Sequence, residues 1–182
     1  MAILPIVKYP DPRLRQPTVP VARVDDEIRA LVRDMIDTMY ASNGAGLAAI
    51  QVGSDQRIFV IEGQVAGLPE GAPALVCINP EIVWLGAELD GGDEGCLSFP
   101  GIFVPVKRAL RARLRAMGLD GQLYEVEGEG LFARAIQHEQ DHLTGRLLID
   151  MVGALKREMI KRKLKRAAER GDDEDEVAEA EG

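Results

Sequence analysis

The chain has 182 residues, 46% of them hydrophobic, and a formal net charge of −8. This length is enough for one domain with a full core and short for two, and no apolar run approaches the ~20 residues of a membrane span. Because the first ten residues lack the basic region and sustained apolar stretch of a signal peptide, we expect a cytoplasmic protein in which Cys77 and Cys96 form no disulfide.

The first helix is predicted after a proline-rich N-terminal segment. Five prolines within the first twenty residues indicate extended, turn-rich backbone. Asp25 or Asp26 can cap the helix that follows, and Ser42-Asn43-Gly44 is a good terminator. Between them, apolar residues recur at the spacing of one helix face: Ile28, Leu31, Val32, Met35, Ile36, Met39 and Tyr40.

The middle of the chain is predicted to be rich in β-structure. Residues 107–117 alternate arginines with Ala112 and Leu114, which is the period of a half-exposed strand, and the turn at 118–121 allows this strand to pair with the next one. Strands are predicted at 57–61, 75–78, 81–85, 107–117 and 123–127.

Two further helices are predicted, at about 129–142 and about 153–170. The strands are grouped between helices and do not alternate with them, which favours an α+β fold. The expected architecture has antiparallel strands grouped between an N-terminal helix and a central helix, with a further C-terminal helix.

The two histidines of the chain both lie in His138-Glu139-Gln140-Asp141-His142. In a helix, positions i and i+4 share one face, so both imidazoles can bind one metal ion, and Glu139 lies on the adjacent face as a possible proton acceptor. Such a pattern also occurs on solvated helices. The segment before it is mostly apolar, however, which indicates a partly buried helix where unpaired imidazoles would be costly.

A catalytic ion bound by two histidines needs a third protein ligand, and three sources are open. One is a downstream glutamate, Glu158 or Glu169, although both lie in a basic segment where an ordinary ion pair is expected. Another is an aspartate elsewhere in the chain. The third is Cys96, which lies in a predicted glycine-rich loop, residues 91–98, and whose thiolate would bind zinc or ferrous iron strongly. Cys96 could also simply pack in that loop.

A second glycine-rich stretch, residues 44–51, is composed of small residues and ends at Gln51. It has neither the lysine of a P-loop nor the third glycine of a dinucleotide fingerprint, so nucleotide binding is poorly supported. The side-chain amide of Gln51 could stabilise an oxyanion beside a metal ion. The stretch could equally be a helix stop followed by a strand.

Residues 44–51, 94–98 and 137–142 together resemble, in order and spacing, the three signature motifs of the peptide deformylase family. The segment Tyr9–Arg15 also looks like the N-terminal segment of that family, and the resemblance extends from about residue 3 to about residue 155. Position 45 departs from the pattern because the family often has a larger aliphatic side chain than Ala45, which bears on the shape of one pocket wall.

This resemblance implies an enzyme that removes the formyl group from the N-terminal formylmethionine of new polypeptides and releases formate. It implies a water molecule in the fourth coordination position and three protein ligands to the metal ion: Cys96, His138 and His142. Glu139 would be the general base and then the acid, while the Gln51 side chain and the Leu97 N–H would form the oxyanion hole. The implied ion is Fe(II), with Zn, Ni or Co as possible replacements.

The resemblance also implies an apolar pocket for the methionine side chain. Its expected contacts are Ala45, Gly46, Leu97, Leu131 and Ala135. Ala135 and Leu131 precede His138 at spacings that place them on its helix face, although plain core packing would also explain them. Two other functions stay open: a zinc endopeptidase with a carboxylate third ligand, and a non-enzymatic metal-binding or interaction module.

The C-terminal end of the chain is divided by charge. Residues 153–170 contain eight Lys or Arg and two Glu, a balance of +6, whereas residues 171–182 contain seven Asp or Glu and no base, a balance of −7. We therefore divide the chain into a catalytic domain, 1–152, a basic helix, 153–170, and an acidic tail, 171–182, that is too polar to fold alone. The basic helix is either a solvated surface or an electrostatic contact with ribosomal RNA, through which the enzyme would meet nascent chains.

Overall fold

In the computed structural model, which describes residues 2–170, three α-helices and seven strands form the described part of the chain. The helices are α1 (Asp26–Ala41), α2 (Leu131–Leu143) and α3 (Ala154–Arg170). The strands are β1 (Gly46–Ala48), β2 (Ile58–Glu62), β3 (Ala74–Leu85), β4 (Leu89–Cys96), β5 (Phe99–Ala109), β6 (Arg111–Met117) and β7 (Leu123–Glu129). Short 3-10 helices lie at Pro12–Arg15, Ala49–Val52 and Leu148–Met151. The predicted acidic tail lies outside the described residues.

All strand pairs within the two sheets are antiparallel. Five strands form one sheet in the order β1-β2-β3-β6-β7, and β4 pairs with β5 in a separate two-stranded sheet. The strands lie between α1 and α2 in the chain, and α3 follows α2, so the predicted α+β class and element order are confirmed. Within residues 2–170, no helix combines the length and the apolar character needed to cross a membrane.

Strand β2 shows how the five-stranded sheet holds α2 in place. Side chains alternate between the two faces of a strand, and both faces of β2 are buried. Ile58 and Val60 pack in the cluster that contains the apolar face of α1, whereas Phe59 and Ile61 pack in the cluster that contains the apolar face of α2. Burial of these side chains on both faces therefore fixes α2, and the histidines on it, against the sheet.

Helix α1 begins and ends where the sequence predicts. The Asp25 side chain accepts a hydrogen bond from the Ile28 N–H at 3.0 Å, which satisfies a backbone donor in the first turn. After Ala41 the chain leaves the helix through Asn43, whose φ of 55° is in the left-handed region.

Pro80 lies inside one long strand, so the prediction of two separate strands at 75–78 and 81–85 is wrong. The pairing of β3 with β6 shifts register between Ile78 and Glu81, and Asn79 has a φ of 50°. The Asn79 side chain bonds both the N–H and the C=O of Val21, at 2.8 and 2.9 Å. A bulge thus accommodates a residue that cannot donate to the sheet.

Two other strand predictions also need correction. The predicted strand 107–117 is divided between β5 and β6, because the chain passes at Leu110 from the two-stranded sheet to the five-stranded one. Residues 91–98 are not a loop, since pairing with β5 makes most of them strand β4. Gly95 of this strand leaves room for the Phe103 ring, since a Cβ there would lie 2.7 Å from it.

Helix α3 is attached to the rest of the protein through a third cluster. That cluster joins the N-terminal segment, β5 and the 3-10 helix Leu148–Met151, and Ile160 is the buried residue that α3 contributes to it. Arg15 also ties the N-terminal segment to this region through a bidentate ion pair with Asp150, at 2.8 and 2.9 Å. Most other side chains of α3 are exposed.

Candidate metal centre

Three ligand atoms converge between α2 and the end of β4. His138 and His142 lie one turn apart on α2 with their Nε2 atoms 3.3 Å apart, and the Cys96 Sγ lies 3.5 Å from the His142 Nε2. These three residues are a group whose ligand atoms all lie within 4.8 Å of one another. A thiolate and two imidazoles at this spacing fit a tetrahedral divalent ion with one position left open.

The local structure of each element explains this convergence. The helical period places the two histidines on the same side of α2. Cys96 is the last residue of β4, directly after a register shift between Gly95 and Cys96, and a shift of this kind changes the direction of the strand and its side chains. Cys96 is half-buried, whereas His142 is buried.

Glu94 orients one of the histidines. This buried carboxylate accepts hydrogen bonds from the Nε and Nη2 of Arg108, both at 2.9 Å, and from the Nη1 of Arg134 at 2.7 Å. It also lies 2.9 Å from the Nδ1 of His138. Burial opposes ionisation of Glu94, but the hydrogen bonds from Arg108 and His138 outweigh it and hold the pKa of this carboxyl well below its usual range. An Nδ1–H donated to Glu94 leaves the His138 Nε2 lone pair free for a metal ion.

The sequence patterns predict no role for Glu94, Arg108 or Arg134. Two local signals exist in retrospect: Glu94 precedes Cys96 by two residues in a strand, and Arg134 precedes His138 by four residues in a helix. The helical spacing places Arg134 and His138 on one face, and the strand spacing would do the same for Glu94 and Cys96 in a regular strand. Arg108 also bonds Asp141 of α2 at 2.7 Å, so this arginine links β5 to the helix that bears the histidines.

Glu139 is buried beside the three ligand atoms and lies against Gly46. A Cβ at position 46 would be 2.8 Å from the Glu139 Oε1, so the glycine makes room for the carboxylate. Burial raises the pKa of Glu139 to about 7, and the charge of His138 opposes this rise. Among the described residues, no group donates a hydrogen bond to its Oε2 atom. A carboxyl with this pKa can accept and return a proton near neutral pH.

Gln51 lies beside Cys96 and is held by hydrogen bonds at both ends of its amide. Its Oε1 accepts from the Ala48 N–H at 3.0 Å, and its Nε2 donates to the Ser98 Oγ at 3.1 Å and lies 3.4 Å from the Cys96 Sγ. Ser98 in turn donates to the Val7 carbonyl at 2.7 Å. The amide N–H₂ of Gln51 is therefore fixed next to the ligand group.

A cavity of about 160 Å³ opens beside the ligand atoms. Four of the predicted pocket residues line it: Ala45, Gly46, Leu131 and Ala135. Leu97 is not among the lining residues, because its side chain packs beside the α1 cluster and near Gly44.

His142 is suited to bind metal as a neutral imidazole. Burial, followed by the charge of His138, lowers the pKa of His142 well below its usual value, which favours the neutral imidazole that binds metal. Within residues 2–170 its buried Nδ1 has no hydrogen-bond partner.

Both cysteines are free thiols in the described chain, and burial raises the pKa of Cys77 to about 12, so this thiol packs as an inert apolar group.

An α+β fold that brings a thiol and two imidazoles together beside a buried carboxylate is the arrangement expected of a metal-dependent hydrolase. The family model for polypeptide deformylase matches residues 3–158. The chain belongs to the polypeptide deformylase family. It is therefore a hydrolase that removes the N-formyl group from newly made polypeptides.

Individual relatives agree over nearly the whole chain. The peptide deformylase of Alkalilimnicola ehrlichii is 49% identical over 174 residues, which cover 94% of each chain. The crystal structure of a peptide deformylase from Legionella pneumophila is 40% identical with a TM-score of 0.87, covering 94% of this chain and 98% of that one. The peptide deformylase from Ehrlichia chaffeensis in complex with actinonin is 38% identical with a TM-score of 0.84, covering 91% and 98%.

Proposed function

We propose that Cys96, His138 and His142 hold one divalent ion and that the formyl amide of a nascent chain is hydrolysed beside it. The family resemblance implies Fe(II) as the cellular ion, and the same thiolate and imidazole donors would also bind Zn, Ni or Co. When bound, such an ion supplies Lewis-acid polarisation of the formyl carbonyl and activation of a water molecule. The proposal rests mainly on one observation, the convergence of these three ligand atoms within 4.8 Å of one another.

Glu139 moves the proton in this proposal. Its carboxylate takes a proton from the attacking water as the new C–O bond forms, and it then delivers a proton to the leaving amine as the C–N bond breaks. Formate and a free N-terminus result. The burial of Glu139, its pKa of about 7 and the space made by Gly46 support this role.

The side-chain N–H₂ of Gln51 and the backbone N–H of Leu97 stabilise the oxyanion that develops on the formyl oxygen. The position of the Gln51 Nε2, 3.4 Å from the Cys96 Sγ, supports this role, because it places a fixed donor directly beside the metal ligands. Leu97 follows Cys96 in the chain, so its amide is also next to the ligand group.

The cavity beside the ligands takes the methionine side chain of the substrate. Its proposed contacts are Ala45, Gly46, Leu131 and Ala135. The small Ala45 leaves this wall of the cavity open. Leu131 is 62% exposed and lies at the surface, where a methionine side chain would cover it.

Formate release from formyl-Met-Ala-Ser, with protein purified without oxygen and loaded with Fe(II), tests the proposal. We expect turnover with this peptide and none with the same peptide lacking the formyl group. Cys96→Ser should lose most of the bound ion and the activity, because a hydroxyl is a poorer ligand for a soft ion. Full metal occupancy in that variant would favour a carboxylate as the third ligand, as in an endopeptidase.

The catalytic domain is proposed to be residues 1–152, with the helix of residues 153–170 as a separate surface element that contacts the ribosome. The exposed basic side chains of α3 support that contact, and a substrate made on the ribosome supports a cytoplasmic location. Sedimentation with ribosomes should be weakened by Arg162→Glu together with Arg166→Glu, while activity on the short peptide is unchanged.

A further inference from the structure

A groove of about 530 Å³ lies between α3 and the start of β5, and it shares no lining residue with the catalytic cavity. Its apolar lining includes Phe103, which is 70% exposed, and Met159, which is 62% exposed. Its basic lining residues are Lys156, Arg162, Lys163, Arg166 and Arg170. No aspartate or glutamate in the described part of the chain lines it. Exposed apolar surface bordered by charge of one sign indicates a binding site for an acidic peptide with some apolar character.

The chain itself contains such a peptide. Residues 171–182 follow Arg170 directly, and they combine seven acidic residues with the aliphatic Val177. This segment carries −7 of the total charge of −8, so the other 170 residues together carry −1. Most of the net negative charge of the protein therefore lies in the segment that begins at one end of the basic groove.

The length of the acidic segment also matches the length of the groove along α3. Twelve residues can span up to roughly 40 Å when extended, whereas the seventeen residues of α3 rise about 25 Å along the helix axis. The segment is therefore long enough to return along the whole groove as far as Lys156. Because it is tethered, its effective concentration at the groove is on the order of millimolar, which favours it over a second copy of the chain at micromolar concentration.

We propose that the acidic segment 171–182 binds in the basic groove between α3 and β5 of its own chain. The acidic side chains contact the basic lining, and Val177 covers part of the apolar surface at Phe103 and Met159. The contact weakens as salt rises, because these charges are exposed and screened over about 8 Å at physiological ionic strength. Any polyanion that uses the same surface has to displace the segment.

Zero-length cross-linking of the full chain with a carbodiimide, followed by mass spectrometry, tests the proposal. The lysines of α3 provide an internal control, because Lys156 and Lys163 line the groove whereas Lys161 and Lys165 do not. Links from the acidic segment to Lys156 and Lys163 should exceed links to Lys161 and Lys165 several-fold at low salt and decline at high salt. Preferential linking to Lys165, the lysine nearest in the chain, would overturn the proposal.

Two variants with the same change in charge distinguish binding of the acidic segment in the groove from general electrostatic attraction to α3. Arg162→Glu with Arg166→Glu should abolish the links to Lys156, whereas Lys161→Glu with Lys165→Glu makes the same change in charge and should preserve them. Equal loss in both variants contradicts a specific groove site. Links between isotopically labelled and unlabelled copies would identify a second chain as the occupant and would equally refute the proposal.

A further variant leaves every groove residue unchanged. Replacing the acidic residues between positions 172 and 176 with Asn or Gln should increase hydroxyl-radical oxidation of the Phe103 and Met159 side chains, because the segment no longer covers them. Unchanged oxidation of both side chains would show that the segment does not bind there, even if the arginine variants proved to disrupt α3.

Discussion

Replacing Glu94 with glutamine tests whether the buried ion network builds the metal centre. The carboxylate of Glu94 is 4% exposed and accepts three N–H groups from Arg108 and Arg134, and its fourth contact is the Nδ1 of His138. Arg108 contacts one oxygen at Nη2 and the other at Nε. Either orientation of a glutamine amide therefore turns its N–H₂ group toward two donors.

The size of the effect follows from these contacts. Two of the four hydrogen bonds are lost and two buried guanidinium groups lose one counter-charge each, although Arg108 keeps Asp141 at 2.7 Å and Arg134 keeps Asp90 at 3.7 Å. The expected cost is therefore about 3 kcal/mol, the lower end of the range for breaking a buried pair. We expect the free energy of unfolding of Glu94→Gln to fall by about that amount in the metal-free protein. Because the His138 ring loses its charged acceptor in either orientation, affinity for the metal ion should fall by roughly 10–100-fold.

Urea unfolding of the metal-free protein measures the first quantity, and competition with a chelator measures the second. Glu129→Gln is a matched control, because Glu129 pairs with Arg111 at 3.6 Å on the surface with 62% of its side chain exposed. That variant should lose no more than about 1 kcal/mol. Stability and metal affinity of Glu94→Gln equal to those of Glu129→Gln would refute the reasoning.

Four further variants test the site and the N-terminal ion pair. Glu139→Ala should retain the metal ion and lose at least ~10²-fold in turnover. Gln51→Ala should lose roughly 10²–10³-fold in turnover. Near-normal formate release by either variant, with metal retained, would contradict the role proposed for that residue. Gly46→Ala should reduce turnover with the metal retained, because the new Cβ would lie 2.8 Å from the Glu139 Oε1; an unchanged rate would show that Glu139 tolerates displacement. Asp150→Asn should lower the free energy of unfolding by about 1 kcal/mol at pH 7. The Arg15 hydrogen bond lowers the pKa of Asp150, so this stability is present above the unfolded pKa of about 4 and is lost as pH falls through the lower folded pKa; a difference that persists at pH 2 would exclude the ion pair as its source.

The sequence by itself predicted the features that depend on short-range spacing. Helix α1 was predictable because its cap at Asp25 and its apolar face depend only on residues close together in the sequence. The facing positions of His138 and His142 follow in the same way from the helical period. The resemblance of three short segments to deformylase motifs then indicated the family, which the comparisons confirm, whereas the roles of individual residues remain predictions.

Only the tertiary structure decided the features that depend on strand pairing. Residues 91–98 were predicted as a loop because glycines disfavour strands, yet pairing with β5 makes most of them a strand and brings Cys96 to α2. The contact between Glu94 and His138 joins residues 44 positions apart, and the bonds of Glu94 to Arg108 and Arg134 likewise cross between elements. No local period encodes such pairs, because they exist only when β4, β5 and α2 are packed together.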